Sequence, residues 1–121
     1  MPEAPVISIE HRPEAVIVRV LATELRKTEM DEICTGVDQA LTIAPTLPFI
    51  FDLSSVAFLP SLAMGVLVGL NQEFRARNQR IIFAGLQRNV RQSLEMSRVN
   101  RVIEIIDSPT AALKNLENHP S

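Results

Sequence analysis

The stretch DLSSVAFLPSLAMGVL, residues 52–67, decides the fold, because it joins a buried strand to an apolar helix. The residues that lead into it, Phe49–Leu53, form a continuous apolar run, which is typical of a central strand covered on both faces. Pro60 predicts a helix that begins directly after it and ends near Arg77 or Asn78. The first half of this helix is apolar nearly all round, so we expect its first turns to be buried.

The segments around this stretch alternate between β-rich runs and helical periodicity. Runs rich in Val, Ile or Phe predict strands at Val6–Glu10, Ala15–Val20, Phe49–Leu53, Arg80–Ala84 and Val102–Ile106. Helices are predicted at about Glu29–Leu41, after Pro60, at about Asn89–Met96 and after Ser108. The first two strands predict a hairpin, and each later strand follows a helix, which indicates right-handed parallel crossovers. The sequence therefore predicts one α/β domain over residues 1–117, with a mixed, mostly parallel sheet of about five strands, about four helices and a frayed tail at 118–121.

Several helix positions carry local signals. Thr28 is the predicted N-cap of the first helix, and Asn89 is a candidate N-cap of the third. Asp107–Pro109 predicts the start of the last helix, since a capping residue precedes a proline at the first helical position. Gly65 and Gly69 lie on one face of the second helix, and each costs about 1 kcal/mol of helix propensity. We expect a close approach of this helix to the sheet to offset that cost.

Composition excludes several classes of protein. With 121 residues and 46% hydrophobic side chains, the chain can bury the core of one domain. A net charge of -2 and the absence of Trp and Tyr argue against a nucleic-acid binder. The apolar segment Val56–Leu70 is shorter than the roughly 20 residues of a spanning helix, so no membrane insertion is expected. The single Cys34 excludes an internal disulfide, and with no N-terminal signal pattern it indicates a cytoplasmic protein.

Residues that carry catalysis or bind metals do not cluster in the sequence. His11 lies in a turn and His119 in the tail, and neither has a second ligand at metal spacing. Cys34 has no His nearby, so we expect a small core or interface residue there. The glycines are dispersed, which predicts no phosphate-cradling loop. We therefore expect no enzyme, no cofactor and no metal. A hydrolase or transferase would need a base near a nucleophile, and the sequence shows none.

Charge is unevenly distributed along the chain. Residues 1–54 hold nine acidic and four basic side chains, whereas residues 75–101 hold seven arginines and one acidic residue, Glu95. The arginines predict either a basic face for an acidic partner or phosphate, or solvated helix surfaces, which such runs usually form. Both interpretations stay open at the level of sequence.

Ser61 combines a reactive hydroxyl with a helix start at the carboxyl edge of the predicted sheet, where partners and ligands commonly meet an α/β fold. The first N–H groups of a helix favour an anion, so a phosphoryl group could be carried there without unfolding the helix. It would add nearly two negative charges to an apolar neighbourhood and repel a partner that buries it. The alternative interpretation is that Ser61 is only an N-cap.

The stretch from Asp52 to Leu67 resembles the central motif of the STAS family, which includes bacterial anti-sigma factor antagonists and the cytoplasmic domains of sulfate transporters. That motif runs roughly DLSxVxFIDSSGLGVL, and Ser61 falls on its phosphorylated serine. Later segments also resemble the family, namely Phe83–Leu86, Val90–Ser97 and Ile103–Leu113. Within the motif, Pro60 replaces the acidic residue, Leu62 the second serine and Ala63 the glycine after it.

The resemblance implies a non-catalytic regulatory module that docks an ATP-dependent anti-sigma kinase and is released when Ser61 is phosphorylated. The partner-binding residues it implies are Leu59, Pro60, Leu62, Ala63, Met64, Asn89 and Arg98. The alternative is a phosphorylation-independent STAS subunit of a transporter ATPase or signalling scaffold, which the loss of the acidic residue at Pro60 favours. The expected partner is thus an anti-sigma kinase or another ATPase-type protein, and a weak homodimer is left open.

Overall fold

The strand at Phe49–Asp52 lies at the centre of a five-stranded sheet in which the strands are arranged in the order of the chain. The computed structural model describes residues 5–118. Its strands are β1 (Ile7–His11), β2 (Val16–Val20), β3 (Phe49–Asp52), β4 (Ile81–Ala84) and β5 (Glu104–Ile106), and its helices are α1 (Lys27–Ile43), α2 (Ser61–Ala76), α3 (Arg88–Met96) and α4 (Pro109–Asn118). A 3₁₀ turn spans Val99–Arg101. Strands β1 and β2 pair antiparallel and the other neighbours pair parallel, which confirms the predicted mixed α/β fold.

The two faces of the sheet bury different amounts of side chain. Because strand residues alternate between faces, Val16 and Val18 point to one side and Ile17 to the other. Helices α1, α2 and α3 contribute to the larger core on the first side, where the Phe49 and Phe74 rings meet edge to face at 5.0 Å. Helix α4 covers the second side around Ala112. The burial of β3 on both faces explains its uninterrupted apolar sequence.

Helix α1 begins earlier than its predicted cap. Arg26, not Thr28, occupies the N-cap position, and Thr28 lies inside the helix. The reason is Glu29, whose carboxylate accepts the Arg26 backbone N–H at 2.9 Å and the Thr28 hydroxyl at 2.6 Å. These hydrogen bonds, that from Thr28 first, lower the pKa of Glu29.

The starts of α3 and α4 test the other two N-cap predictions. Gln87, not Asn89, stands at the N-cap of α3. At α4 the prediction is confirmed, since the Ser108 hydroxyl accepts the Ala111 N–H at 3.0 Å ahead of a helix that begins at Pro109. Asn118, predicted as the start of a frayed tail, is the last residue of α4, and the rest of that tail, with His119, lies outside the described residues.

The amino edge of the sheet is closed by polar side chains. Buried Gln79 donates through Nε2 to the carbonyl oxygens of Leu47 at 2.7 Å and Ala44 at 3.3 Å, while its Oε1 has no partner among the described residues. Arg80 donates through Nε to Glu104 at 2.9 Å, and this hydrogen bond raises the pKa of the Arg80 guanidinium. The Gln79 bonds join the segment after α2 to the segment between α1 and β3, and the Arg80 bond joins the start of β4 to β5. No helix within residues 5–118 has both the length and the apolar character to cross a membrane.

Candidate functional site

The β3–α2 loop, residues 53–60, leaves the carboxyl edge of the sheet at its centre and leads directly to Ser61. Pro60 occupies the N-cap position of α2, so Ser61 is the first helical residue and the interpretation of Ser61 as an N-cap is wrong. Proline offers no capping oxygen, so the N-cap residue of α2 makes no side-chain hydrogen bond to the first turn. Ser61 is exposed, so the structure places its hydroxyl at the surface, beside uncapped backbone N–H groups of the first turn.

The base of the loop is fixed by Asp52. Its Oδ1 accepts the backbone N–H of Ser54 at 3.0 Å and the Ser54 hydroxyl at 2.7 Å. Gly85, at the end of the neighbouring strand β4, has a φ of 74°, and a Cβ there would lie 3.0 Å from Asp52 Oδ1. Glycine is therefore required at position 85 both by its backbone conformation and by the space that the turn takes.

Neighbouring segments hold the loop from both sides. On the α3 side, Gln87 Nε2 donates to the Ser54 carbonyl oxygen at 2.9 Å, and Asn89 Nδ2 donates to the Ala57 carbonyl oxygen. On the other side, the Ala57 N–H donates to the Thr23 carbonyl oxygen at 2.9 Å, next to a parallel bridge between Glu24 and Phe58. Hydrogen bonds on both sides thus fix the backbone of the loop that leads to Ser61.

The apolar side chains near Ser61 differ in solvent exposure. Phe58 is 59% exposed and Leu62 is 55% exposed, whereas Leu59 and Ala63 are almost completely buried at 2% and 0%. The expectation that Leu59 and Ala63 contact a partner therefore disagrees with the structure, because both side chains face the core. Pro60 and Met64 are half-buried and remain accessible in part.

Phe58 was missed by sequence reasoning as a contact residue. A signal was present, since neighbouring residues in extended chain point to opposite sides, so Phe58 and Leu59 could not both face the core. Which of the two is exposed follows from the bridge to Glu24, which aligns Phe58 with a segment far away in sequence.

The two glycines of α2 do not face the sheet. A Cβ at Gly65 or Gly69 would meet nothing within 4 Å, so the expected close approach to the sheet is wrong at both positions. A close approach exists at Gly36 of α1 instead, where a Cβ would lie 2.2 Å from Ile7 Cδ1. The outer side of α2 next to Leu62 is thus an uncharged surface on which two positions carry no side chain. Within residues 5–118, no other segment packs closely against these two positions.

Asn89 and Arg98 lie on opposite ends of the segment that flanks this surface. Asn89 bonds the loop, as described above, and therefore positions it. Arg98 is exposed, with a left-handed φ of 62°, and follows Ser97, whose hydroxyl donates to the Ser93 carbonyl oxygen at 2.7 Å and whose Oγ lies 3.3 Å from Met64 Sδ. Asn89 thus lies beside the loop, and the residue before Arg98 lies beside Met64 of α2.

The arginines of residues 75–101 do not form a single face. Arg80 lies at the amino edge of the sheet, bonded to Glu104, whereas Arg91 in α3 pairs with Asp107 at 3.3 Å. Because α2 runs from the carboxyl to the amino edge, Arg75 and Arg77 lie far from Ser61 along that helix. The basic-face interpretation is thus wrong for the set as a whole.

Groups for covalent or metal chemistry do not gather in residues 5–118. No cluster of three His, Cys, Asp or Glu residues that could hold a metal ion occurs in this part of the chain. Cys34 is half-buried on α1, where burial and then the nearby Asp38 raise the pKa of its thiol. A raised pKa disfavours the nucleophilic thiolate. Ser61 is an exposed residue that lies between two exposed apolar side chains, Phe58 and Leu62.

Comparison with known proteins agrees with this geometry. A family model described as STAS domain matches residues 7–112. An anti-sigma-factor antagonist (STAS) domain protein from Planctomyces limnophilus superposes with a TM-score of 0.80 at 18% identity, covering 92% of this chain and 97% of that chain. The anti-sigma factor antagonist SpoIIAA in its unphosphorylated form gives 0.75 at 18% identity, covering 95% and 99%.

A transporter also shares the fold. The murine anion transporter Slc26a9 superposes with a TM-score of 0.72 at 12% identity, covering 91% of this chain and 19% of the transporter chain. A search of curated proteins found no match.

Proposed function

Because the chain belongs to the STAS domain family, we propose that it is a non-catalytic, cytoplasmic protein-binding module of the anti-sigma factor antagonist type. It docks an anti-sigma kinase through the β3–α2 loop and the outer side of α2. The observation that carries this proposal is the exposure of Phe58 and Leu62 on either side of the accessible Ser61. Large apolar side chains on a braced loop provide contact area with little ordering cost, which is what a docking surface needs.

Phosphorylation of Ser61 ends the docking in this proposal. A phosphoryl group at the first residue of α2 faces the positive end of the helix dipole and N–H groups to which the N-cap Pro60 makes no side-chain hydrogen bond. The modified chain therefore keeps its fold. The same group places nearly two negative charges between Phe58 and Leu62, and a partner would have to desolvate those charges to cover the apolar side chains. Binding then becomes unfavourable while the domain stays intact.

The outer side of α2 supports the same surface. Gly65 and Gly69 lower the helix propensity of α2, and within residues 5–118 no close approach of another segment at these two positions offsets this cost. A partner that packs close to the α2 backbone would offset this cost in helix propensity. Both glycines continue the uncharged surface that starts at Leu62.

The test is phosphate transfer and binding with purified anti-sigma kinases encoded in the same genome. Radiolabelled ATP should label the wild-type chain, and Ser61→Ala should abolish labelling. Ser55→Ala is the matched control, since Ser55 is another serine of the same loop, and it should label like the wild type. Calorimetry should show binding to the unmodified chain weakened at least about tenfold by Ser61→Asp. Undiminished labelling of Ser61→Ala would reject Ser61 as the acceptor.

The second candidate function is a phosphorylation-independent STAS subunit of a transporter ATPase or signalling scaffold. Pro60 favours it, because the residue before the serine offers neither a carboxylate nor a backbone N–H to a kinase. It predicts a stable complex whose affinity is the same for the wild type and Ser61→Asp. The calorimetric comparison above therefore separates the two functions.

A further inference from the structure

The β3–α2 loop lies between two flanks of opposite net charge, of which the first, residues 21–32, holds four acidic and two basic side chains. In the sheet order, the β2–α1 segment lies on one side of it and the β4–α3 segment on the other. On the first side, Glu24 is the bridge partner of Phe58, and Glu24 and Glu32 line a cavity of about 840 Å³ beside the exposed Leu21. Both carboxylates are exposed, and in the described part of the chain neither takes part in an ion pair.

The opposite flank is basic on balance, since residues 86–98 hold three arginines and one acidic residue, Glu95. Arg88 lies between Gln87 and Asn89, the two residues whose side chains bond the loop, and Arg98 follows Ser97, whose Oγ lies 3.3 Å from Met64 Sδ. Both arginines are exposed, and within residues 5–118 neither takes part in an ion pair. Arg91 of α3 differs from both, since it forms an ion pair with Asp107 at 3.3 Å.

The strip between the flanks has no charge of its own. Residues 53–72 contain no Asp, Glu, Lys or Arg, and they include the exposed Phe58 and Leu62. A protein that covers this strip brings its own rim close to both flanks, within the roughly 8–10 Å over which charges act at physiological ionic strength. Like charges brought together there would oppose binding, and opposite charges would favour one orientation.

We propose that the partner surface that covers Phe58 and Leu62 is polarised, with Lys or Arg facing Glu24 and Glu32 and with Asp or Glu facing Arg88 and Arg98. This inference rests on the proposed docking function and specifies the chemistry of its partner. The charges fix the direction in which the partner lies across α2 and speed its approach, while the apolar strip supplies the contact area.

The orientation can be measured with a defined probe. A short synthetic peptide has a leucine-rich centre, a lysine-rich end and a glutamate-rich end, and carries a nitroxide at its lysine-rich end. A second peptide has the two ends exchanged along its sequence, with the nitroxide still at the lysines. With either peptide, we expect saturable broadening of the backbone amide signals of residues 22–32 and little broadening of residues 86–98. Equal broadening of both flanks, broadening that follows the peptide's N-terminus, or no saturable binding at Phe58 would overturn the proposal.

A pair of charge reversals provides the matched control. Glu32→Lys in α1 and Glu117→Lys in α4 change the net charge equally, but α4 lies on the other face of the sheet. At low salt, Glu32→Lys should weaken binding of either peptide about threefold and Glu117→Lys should leave it unchanged. High salt should remove the difference. Equal weakening by both variants would contradict the proposal.

The outcomes of these experiments can reject the polarised surface and the proposed function separately. Polarised peptide binding without labelling by any kinase would reject the kinase partner and retain the partner chemistry. Labelling of Ser61 by a kinase whose affinity is insensitive to Glu32→Lys and to salt would retain the function and reject the polarised surface.

Discussion

The two ends of α2 lie at opposite edges of the sheet and differ in how far their large apolar side chains are exposed. At its start, Phe58 and Leu62 point into solvent, and the hydrogen bonds of the loop involve backbone carbonyl groups. At its end, Phe74 is fully buried against Phe49, and Gln79 closes the edge with buried hydrogen bonds. The chain therefore covers its own large apolar side chain at the amino edge, whereas Phe58 and Leu62 at the carboxyl edge remain available to a partner.

The largest expected effect comes from Phe74. Phe74→Ala removes a buried ring that meets Phe49 at 5.0 Å and leaves a cavity, so the free energy of unfolding should fall by about 3–5 kcal/mol. Urea denaturation measures this directly. A loss below about 1 kcal/mol would show that the amino edge does not stabilise the fold as described.

Gln79→Met tests the polar part of the same edge with a side chain of similar length. It removes the donor to the Leu47 and Ala44 carbonyl oxygens, which leaves buried acceptors without a partner. We expect the free energy of unfolding to fall by about 1–3 kcal/mol. Gln72→Met, at an exposed position of α2, is the control and should change stability by less than about 0.5 kcal/mol.

Phe58→Ala is the counterpart of Phe74→Ala at the other edge. Since the ring is mostly exposed, the free energy of unfolding should change by less than about 1 kcal/mol, while the affinity for the proposed kinase partner should fall about tenfold. Denaturation and calorimetry on one preparation separate the two effects. An unchanged affinity would remove Phe58 from the docking surface.

Gly65→Ala should act in opposite directions on stability and on binding. The new methyl group meets open space and raises helix propensity, so the free energy of unfolding should rise by about 0.5–1 kcal/mol. A partner that packs against the α2 backbone would lose affinity severalfold. Gain of stability with unchanged affinity would place the docking surface away from this side of α2.

The smallest effect concerns pH at the start of α1, on the acidic flank. Hydrogen bonds lower the pKa of Glu29 in the folded chain, so its contribution is present above the ordinary glutamate pKa and is lost as pH falls through the lowered folded value. The difference in Tm between wild type and Glu29→Gln should be largest near pH 7 and shrink towards pH 3. A difference that does not change with pH would show that the carboxylate does not act as the cap.

Much of the fold could be predicted because its signals are local. The apolar run of β3 reports burial on both faces, and Ser108 followed by Pro109 fixes the start of α4 through neighbouring atoms. Caps were predicted less well where a residue three positions away competes, as Glu29 does at Arg26. Asn89 was misassigned because its amide bonds Ala57, which is 32 residues away in sequence.

By itself, the sequence determined the order of strands and helices, the parallel sheet and the serine at the start of α2, since these depend on periodicity and on prolines at fixed places. Only the tertiary structure decided that Phe58 faces solvent while Leu59 is buried, and that Gly65 is open on its outer side. It also decided that Glu24 and Arg88 flank the same loop. The physical reason is that exposure depends on which distant segments come to lie beside a residue, and no local pattern contains that information.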